Sequence, residues 1–273
     1  MPTTDLFAKS NALDSTAIET LACRLEARKD SFTYMQMLRD YLALLELPSR
    51  RDVLALGAGT GVEVRDILQR EDFTGHITAL ELSPHLVIFG KARCAEEGLA
   101  SRVTWMTGDA RRVDLPDASF DLVLAHTLLS HVEGPERVVS EAVRLLRPDG
   151  KFVIFDGDYA TLTFGTDDAA HGEAWDAKII KALIANPRIM RMLPRIFVSA
   201  GLKIDSWRSY AFQEVGKADF FLASLRAYPV LLPTAGVATL EEVTRFVDDQ
   251  LAASKRGAFY AGYNFMTYIC RHS

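Results

Sequence analysis

The chain is poor in cysteine, with three in 273 residues, at Cys23, Cys94 and Cys270. They are scattered, with no Cys-x-x-Cys pair and no Cys/His ligand spacing, which argues against a disulfide framework or a zinc site. Long apolar runs are also missing; none approaches the roughly 20 residues that a membrane-spanning helix needs. The opening MPTTDLFAKS has no apolar centre, so no secretory signal is expected. Nor is there a block of lysine and arginine, and the net charge of −5 gives no pull toward nucleic acid or an anionic membrane. These absences lead to the expectation of a cytoplasmic protein with reduced thiols and no metal, nucleic-acid or membrane partner.

What is present suits a globular enzyme-sized fold. With 49% hydrophobic and 25% charged residues, 273 residues can bury one sizeable core. The first fifty residues read as helical. Ser15 caps a first helix carrying Ile18, Leu21, Ala22 and Leu25 at i, i+3, i+4, i+7 spacing. A second helix from about Ser31 carries Met35, Leu38, Leu42 and Leu45 and stops before Pro48.

From residue 50 the pattern changes to short apolar runs: VLAL (53–56), HITALEL (76–82), RVTWMTG (102–108), FDLVLA (120–125) and KFVIFD (151–156). Amphipathic helices fit between them near 62–70, 84–97 and 135–147. Runs rich in Val, Ile, Leu and Phe without polar alternation suit strands covered on both faces. Strand–helix alternation at this spacing predicts an α/β fold with a doubly wound, mostly parallel sheet. After residue 157 the rhythm loosens. Residues 158–187 show no long clean period, a helix is expected at 188–200, and a strand near LKIDSWRSY. Residues 216–255 read as helical with breaks at Pro229 and Pro233, and 258–270 as an aromatic strand.

The chemistry concentrates where VLAL runs into Gly57, Gly59 and Gly61. Glycines between a buried strand and a helix let backbone approach a ligand, and the helix start offers free N–H groups. The spacing is not the dinucleotide G-x-G-x-x-G, since position 62 is Val, and no Gly-Lys-Ser/Thr follows. A nicotinamide-dependent oxidoreductase is therefore disfavoured. The second strand ends in Glu81, where an acid can accept from both hydroxyls of a ribose, and the third ends beside Asp109. Each alone also reads as an exposed strand-end or turn carboxylate. Together they occupy the carboxyl ends of three successive strands, the edge at which open α/β sheets bind ligands.

In this combination the sequence resembles the class I S-adenosylmethionine (SAM)-dependent methyltransferases. LGAGTG matches the family's glycine motif, Glu81 its ribose acid and Asp109, in GDA, its adenine-side acid. LPDASFDLVLAH and HVEGPERVVSEAVRLLRPDGKFVI match the fourth strand, the next helix and the fifth strand. More narrowly it is similar to small-molecule methyltransferases related to the ubiquinone and menaquinone C-methyltransferases. The resemblance implies a Rossmann-like, seven-stranded methyltransferase fold in one integrated domain. Residues 1–49 would form an N-terminal helical lid, 50–157 the SAM-binding core, and 158–273 substrate-side insertions plus the last strands of the same sheet.

It also implies roles. Gly57, Ala58, Gly59 and Gly61 would pass the methionine part of SAM; Glu81 would hold the ribose, with Leu82 beside the adenine. Asp109 would accept from the adenine amino group and Ala110 lie against the ring. His126 would lie near the sulfonium, and Tyr34 would reach the cofactor from the lid or simply pack its helix. His126, His131, Asp158 and Tyr159 are the candidates for a catalytic base. His171 and Trp175 would line the acceptor pocket or cover the sheet. The expected reaction is methyl transfer to a small organic acceptor, leaving S-adenosylhomocysteine, by a monomer or homodimer. The fourth strand is followed by AHTLLSH, with neither the Asn/Asp-Pro-Pro-aromatic segment nor the Pro-Cys pair of DNA methylation.

One position departs from the family's pattern. The acid it usually places two residues before the first glycine is Ala55 here. Another carbonyl, a water or Glu63 could take over its contact with the methionine amino group. A non-catalytic SAM-fold binding or regulatory protein is the alternative that Ala55 raises.

Overall fold

The computed structural model describes residues 5–273. The first four residues of the expected lid, which also open the segment read for a leader, lie outside the described residues.

Five parallel strands form the core: β1 (Asp52–Leu56), β2 (His76–Glu81), β3 (Val103–Thr107), β4 (Phe120–His126) and β5 (Leu146–Phe164). Two further strands, β6 (Leu202–Gly216) and β7 (Phe259–His272), complete a seven-stranded sheet in the order β3-β2-β1-β4-β5-β7-β6. β7 runs antiparallel to both of its neighbours. The order reverses between β1 and β4, which opens a crevice at their carboxyl ends.

Side chains alternate across the sheet, as a pleated strand requires. Val53 and Ala55 of β1 join the apolar cluster on one face, and Leu54 and Leu56 join the other. Helices α3 (Val62–Leu68), α4 (Pro84–Glu96) and α5 (Pro135–Leu145) connect the parallel strands, as the runs between them suggested. α7 (Ile189–Ser199) buries Met190, Leu193 and Phe197 in the second cluster.

The N-terminal helices are α1 (Ser15–Glu26) and α2 (Phe32–Leu42). Asp14, not Ser15, caps α1, its carboxylate accepting from the Ala17 amide at 2.8 Å. Ser31 caps α2, which stops at Leu42 rather than running to Leu45. A 3-10 turn, Ala27–Asp30, joins the two helices, and another, Phe7–Ala12, precedes α1.

β5, β6 and β7 outrun the other strands. β4 ends opposite Phe155, whereas β5 continues to pair with β7 as far as Phe164. Over this extension lie α6 (Ala169–Leu183), α8 (Phe220–Thr234) and α9 (Leu240–Lys255). α6 is absent from the sequence reading because Ala169, Ala170 and Gly172 dilute its first turns. Its buried Trp175, Ile179, Ala182 and Leu183 nonetheless follow helical spacing. Gly172 is required, since a Cβ there would sit 2.7 Å from the Thr166 hydroxyl. Pro229 and Pro233 do not break α8; they lie one turn apart on one side of it, so the lost N–H donors share a face.

Candidate active site

The crevice at the carboxyl ends of β1, β2 and β4 is a cavity. Its wall includes Gly57, Ala58, Gly59, Thr60, Glu63, Glu81, Leu82, Asp109, Ala110, His126, Thr127 and His131. Phe7, Ser10, Leu25 and Arg28 close it from the N-terminal side. Most of the residues proposed to touch the cofactor therefore meet in one place; Tyr34 and Gly61 lie behind the wall.

The loop geometry depends on glycine. Gly57, Gly59 and Gly61 have φ of 63°, 55° and 79°, the left-handed region that side chains rarely adopt. A Cβ on Gly57 would come within 2.5 Å of Leu128 Cδ1, and one on Gly61 within 2.8 Å of the Trp105 ring. Glu81 fixes the loop from the next strand. One carboxylate oxygen accepts from the Gly59 amide at 2.9 Å, the other from the Ser83 amide at 2.9 Å. Burial raises its pKa, and these amides oppose the rise by stabilising the charged form. A carboxylate has about four lone-pair sites, and with the Leu82 amide also on it one remains for a ligand's hydroxyl.

Asp109 lines the cavity with Arg111, whose Nη2 lies 2.6 Å from Asp109 Oδ2. Arg111 holds its pKa below the ordinary value, so the acceptor stays ionised. Thr60 is buried with its hydroxyl unpartnered among the described residues. Thr127, just past β4, has φ 51°, a strained value for a β-branched residue, and its hydroxyl accepts from Arg28 Nη1 at 2.9 Å.

His126 reaches the cavity but is held from behind. Tyr34 Oη lies 2.6 Å from its Nε2, Tyr41 Oη lies 2.8 Å from its Nδ1, and its ring stacks on Phe155. Burial, then the charge of Arg28, drives its pKa well below 6.5, so the imidazole is neutral. A neutral imidazole has one N–H, so one tyrosine donates to it and the other accepts. No lone pair is left over for a substrate proton. Tyr34 thus contacts His126 rather than the cavity, and is fully buried.

His131 differs. Its Nδ1 lies 2.9 Å from Oδ2 of the fully buried Asp5, and its ring packs against Phe7. Asp5 also accepts from the Ala185 amide at 2.8 Å and the Phe7 amide at 2.9 Å. This leaves the other ring nitrogen for the cavity. Asp5 escaped the sequence reading because no local spacing links it to the residue it touches, 126 positions away.

The other two base candidates lie elsewhere. Asp158 does not line the cavity; both its oxygens accept from Arg191 Nε at 3.0 and 2.8 Å. Tyr159 is buried against Tyr263, and burial raises its pKa far above neutrality, so the phenol keeps its proton. His171 accepts from the Trp175 indole at 3.1 Å within α6, and Trp175 stacks on Phe246; neither lines the cavity.

The chain is similar to known methyltransferases in sequence and in fold. A sequence model of the methyltransferase-domain family matches residues 54–154. These residues belong to the class I SAM-dependent methyltransferases. The chain is 30% identical over 104 residues to a ubiquinone/menaquinone biosynthesis C-methyltransferase of Roseobacter denitrificans, covering 38% of this chain and 41% of that protein. The same enzyme of Brucella anthropi is 25% identical over 201 residues, 71% of each chain. The chain spans less than half the length of several curated relatives, such as 46% of an uncharacterised 37.1 kDa protein from Streptomyces fradiae. In fold, it matches a SAM-dependent methyltransferase of Thiobacillus denitrificans solved with S-adenosylhomocysteine. There the TM-score is 0.56 at 17% identity, over 87% of this chain and 91% of that one.

The residues of the methyltransferase core suit the family's cofactor. The glycine cradle leaves no room for a Cβ at Gly57, Glu81 keeps an acceptor site, and Asp109 is ionised in the lining of the same cavity.

Proposed function

We propose that the protein transfers a methyl group from SAM to a small organic acceptor. One observation carries this reading: the glycine loop, Glu81, Asp109 and a carboxylate-held histidine face a single cavity. When bound, SAM supplies an electrophilic methyl group on a sulfonium. The loop and Glu81 would hold its nucleoside, with Leu82 and Ala110 against the adenine and Asp109 accepting from the amino group.

The chain's own contribution is alignment and proton removal. Fixing donor and acceptor in line supplies much of the barrier reduction in such a transfer. His131 would take the acceptor's proton on Nε2, while Asp5 holds Nδ1–H and stabilises the imidazolium that results. His126, neutral and fixed, presents no charge that would repel a sulfonium. Phe7, Leu25 and Val132 give the cavity an apolar rim suited to an organic acceptor.

The accompanying proposal is a cytoplasmic monomer or homodimer without nucleic-acid partner. In support, all three cysteines are unpaired, and no helix among the described residues is long and apolar enough to cross a membrane. Titration with SAM followed by methyl transfer across a metabolite panel tests the function. Binding with turnover of one acceptor is the expected result. Binding without turnover anywhere on a broad panel would favour the non-catalytic SAM-fold alternative.

A further inference from the structure

The cavity wall carries two opposite charges without ionic partners. Arg28 stands in the turn Ala27–Asp30; its guanidinium bonds the neutral Thr127 hydroxyl and lies against the neutral Tyr34 phenol, 5.4 Å from the ring centroid. Glu63 stands in the first turn of α3, just past the glycine loop, 6% exposed, with its carboxylate on its own backbone amide. Among the described residues neither enters an ion pair, although each feels the other's field. The neighbouring Arg65 is already committed to Glu26 and Glu97, linking α3 to α1 and α4.

A half-buried cation and a buried anion facing one cavity without an ion pair each carry a desolvation cost. The ligand that would offset both carries the opposite charges close together, as the zwitterion of an α-amino acid does. SAM ends in such a group. The family's usual acid is absent at Ala55, which is 1% exposed in an apolar cluster and offers no acceptor. We propose that Glu63 and Arg28 bind the amino-acid end of the cofactor, Glu63 taking the ammonium and Arg28 the carboxylate. This rests on the reading of the cavity as a SAM site.

A proton is coupled to that contact. Burial pushes the Glu63 carboxyl up to about 7, against the pull of its own amide, Arg28 and Arg65, with Glu81 adding to the rise. The phenols of Tyr34 and Tyr41, on α2, lie within its field and are held neutral by burial. An ammonium seated on Glu63 favours the ionised form, so binding at lower pH expels the proton. At pH 6 a free α-amino group, pKa about 7.7–8.0, is charged while Glu63 still holds most of its proton, so about one proton should leave per ligand.

The test is titration calorimetry of the whole chain at pH 6, in two buffers of different ionisation enthalpy. The ligands are S-adenosylhomocysteine and 5′-methylthioadenosine, which keeps the nucleoside and sulfur but lacks the amino acid. The wild type should prefer S-adenosylhomocysteine by at least about tenfold and release close to one proton with it, and none with methylthioadenosine. Glu63→Gln and Arg28→Met should each weaken S-adenosylhomocysteine by about tenfold or more, the range for a charged hydrogen bond, and methylthioadenosine by less than about twofold. Unchanged affinity in Glu63→Gln, or equal proton release by both ligands, overturns the proposal while leaving the SAM site standing. Failure of the wild type to bind either ligand overturns both. Should a variant fail to fold, proton release by the wild type decides.

Discussion

Asp5 Oδ2 lies 2.9 Å from His131 Nδ1, joining the N-terminal segment to the loop after β4. Because Asp5 also accepts from the Ala185 amide, three separate stretches of chain meet at one buried carboxylate. A carboxylate on Nδ1–H fixes the tautomer that leaves Nε2 able to accept a proton. Replacing Asp5 with Asn should lower kcat by at least about tenfold, within the range for a general base, with SAM affinity unchanged. His131→Ala should do the same, and the double variant should be little worse than either, because the pair acts as a unit. Steady-state rates over a pH series check this. An Asp5→Asn enzyme with the wild-type rate and pH profile would remove the dyad from the mechanism.

Asp158 provides the contrast. It is 6% exposed, bound to Arg191, and not among the residues that line the cavity. Because Arg191 is 43% exposed and the pair is screened by solvent, Asp158→Asn should destabilise the fold by only about 1 kcal/mol and leave kcat of the folded fraction within about twofold. Denaturant titration and active-site-normalised rates separate the two. A large fall in kcat at unchanged stability would return Asp158 to the list of catalytic groups.

Glu63 makes ligand-free stability depend on pH in an unusual direction. Its carboxyl titrates near 7 in the fold against an ordinary 4.5. Between these values the folded state holds a proton that the unfolded chain has lost, so this group's contribution falls as pH rises from about 4.5 to 7. The wild type should lose roughly 3 kcal/mol across that window relative to Glu63→Gln, as an order of magnitude. Urea unfolding of both proteins at pH 5 and pH 8 measures it. Parallel pH curves would show that Glu63 is not buried as described.

At Gly59, φ is 55° and a Cβ would lie 3.1 Å from Leu25 Cδ1. Gly59→Val should push a branched side chain into the cavity and abolish SAM binding, while the sheet still folds with a loss of roughly 1–3 kcal/mol from backbone strain. Circular dichroism and calorimetry on the same sample check both halves. A variant that binds SAM normally would show that the ligand does not pass this part of the loop.

The parallel half of the sheet was legible because buried strands, connecting helices and the glycine turn each leave a local signature. Gly57, Glu81 and Asp109 stand at the ends of those runs, and the structure brings them to one cavity with His131, which had been one of four candidates for a base. What escaped was set by contacts between distant segments. Nothing near Asp5 marks it as a partner of His131, and nothing near Tyr41 shows that it and Tyr34 occupy both nitrogens of His126. Asp158 looked equal to its neighbours until its pairing with Arg191 was known. Ala55 was visible as an anomaly, but the residues proposed to replace it were not, since Arg28 and Glu63, 35 positions apart, face one cavity only in the folded chain.

The central claim is that the glycine loop and Glu81 form a SAM site. Calorimetric titration of the intact chain with SAM, run beside Glu81→Ala, tests it most directly. The account predicts a single site in the wild type and an affinity loss of at least about tenfold in the variant, as ribose contacts and the Gly59 anchor go together. No binding of SAM by the wild type, or equal binding by Glu81→Ala, would contradict it.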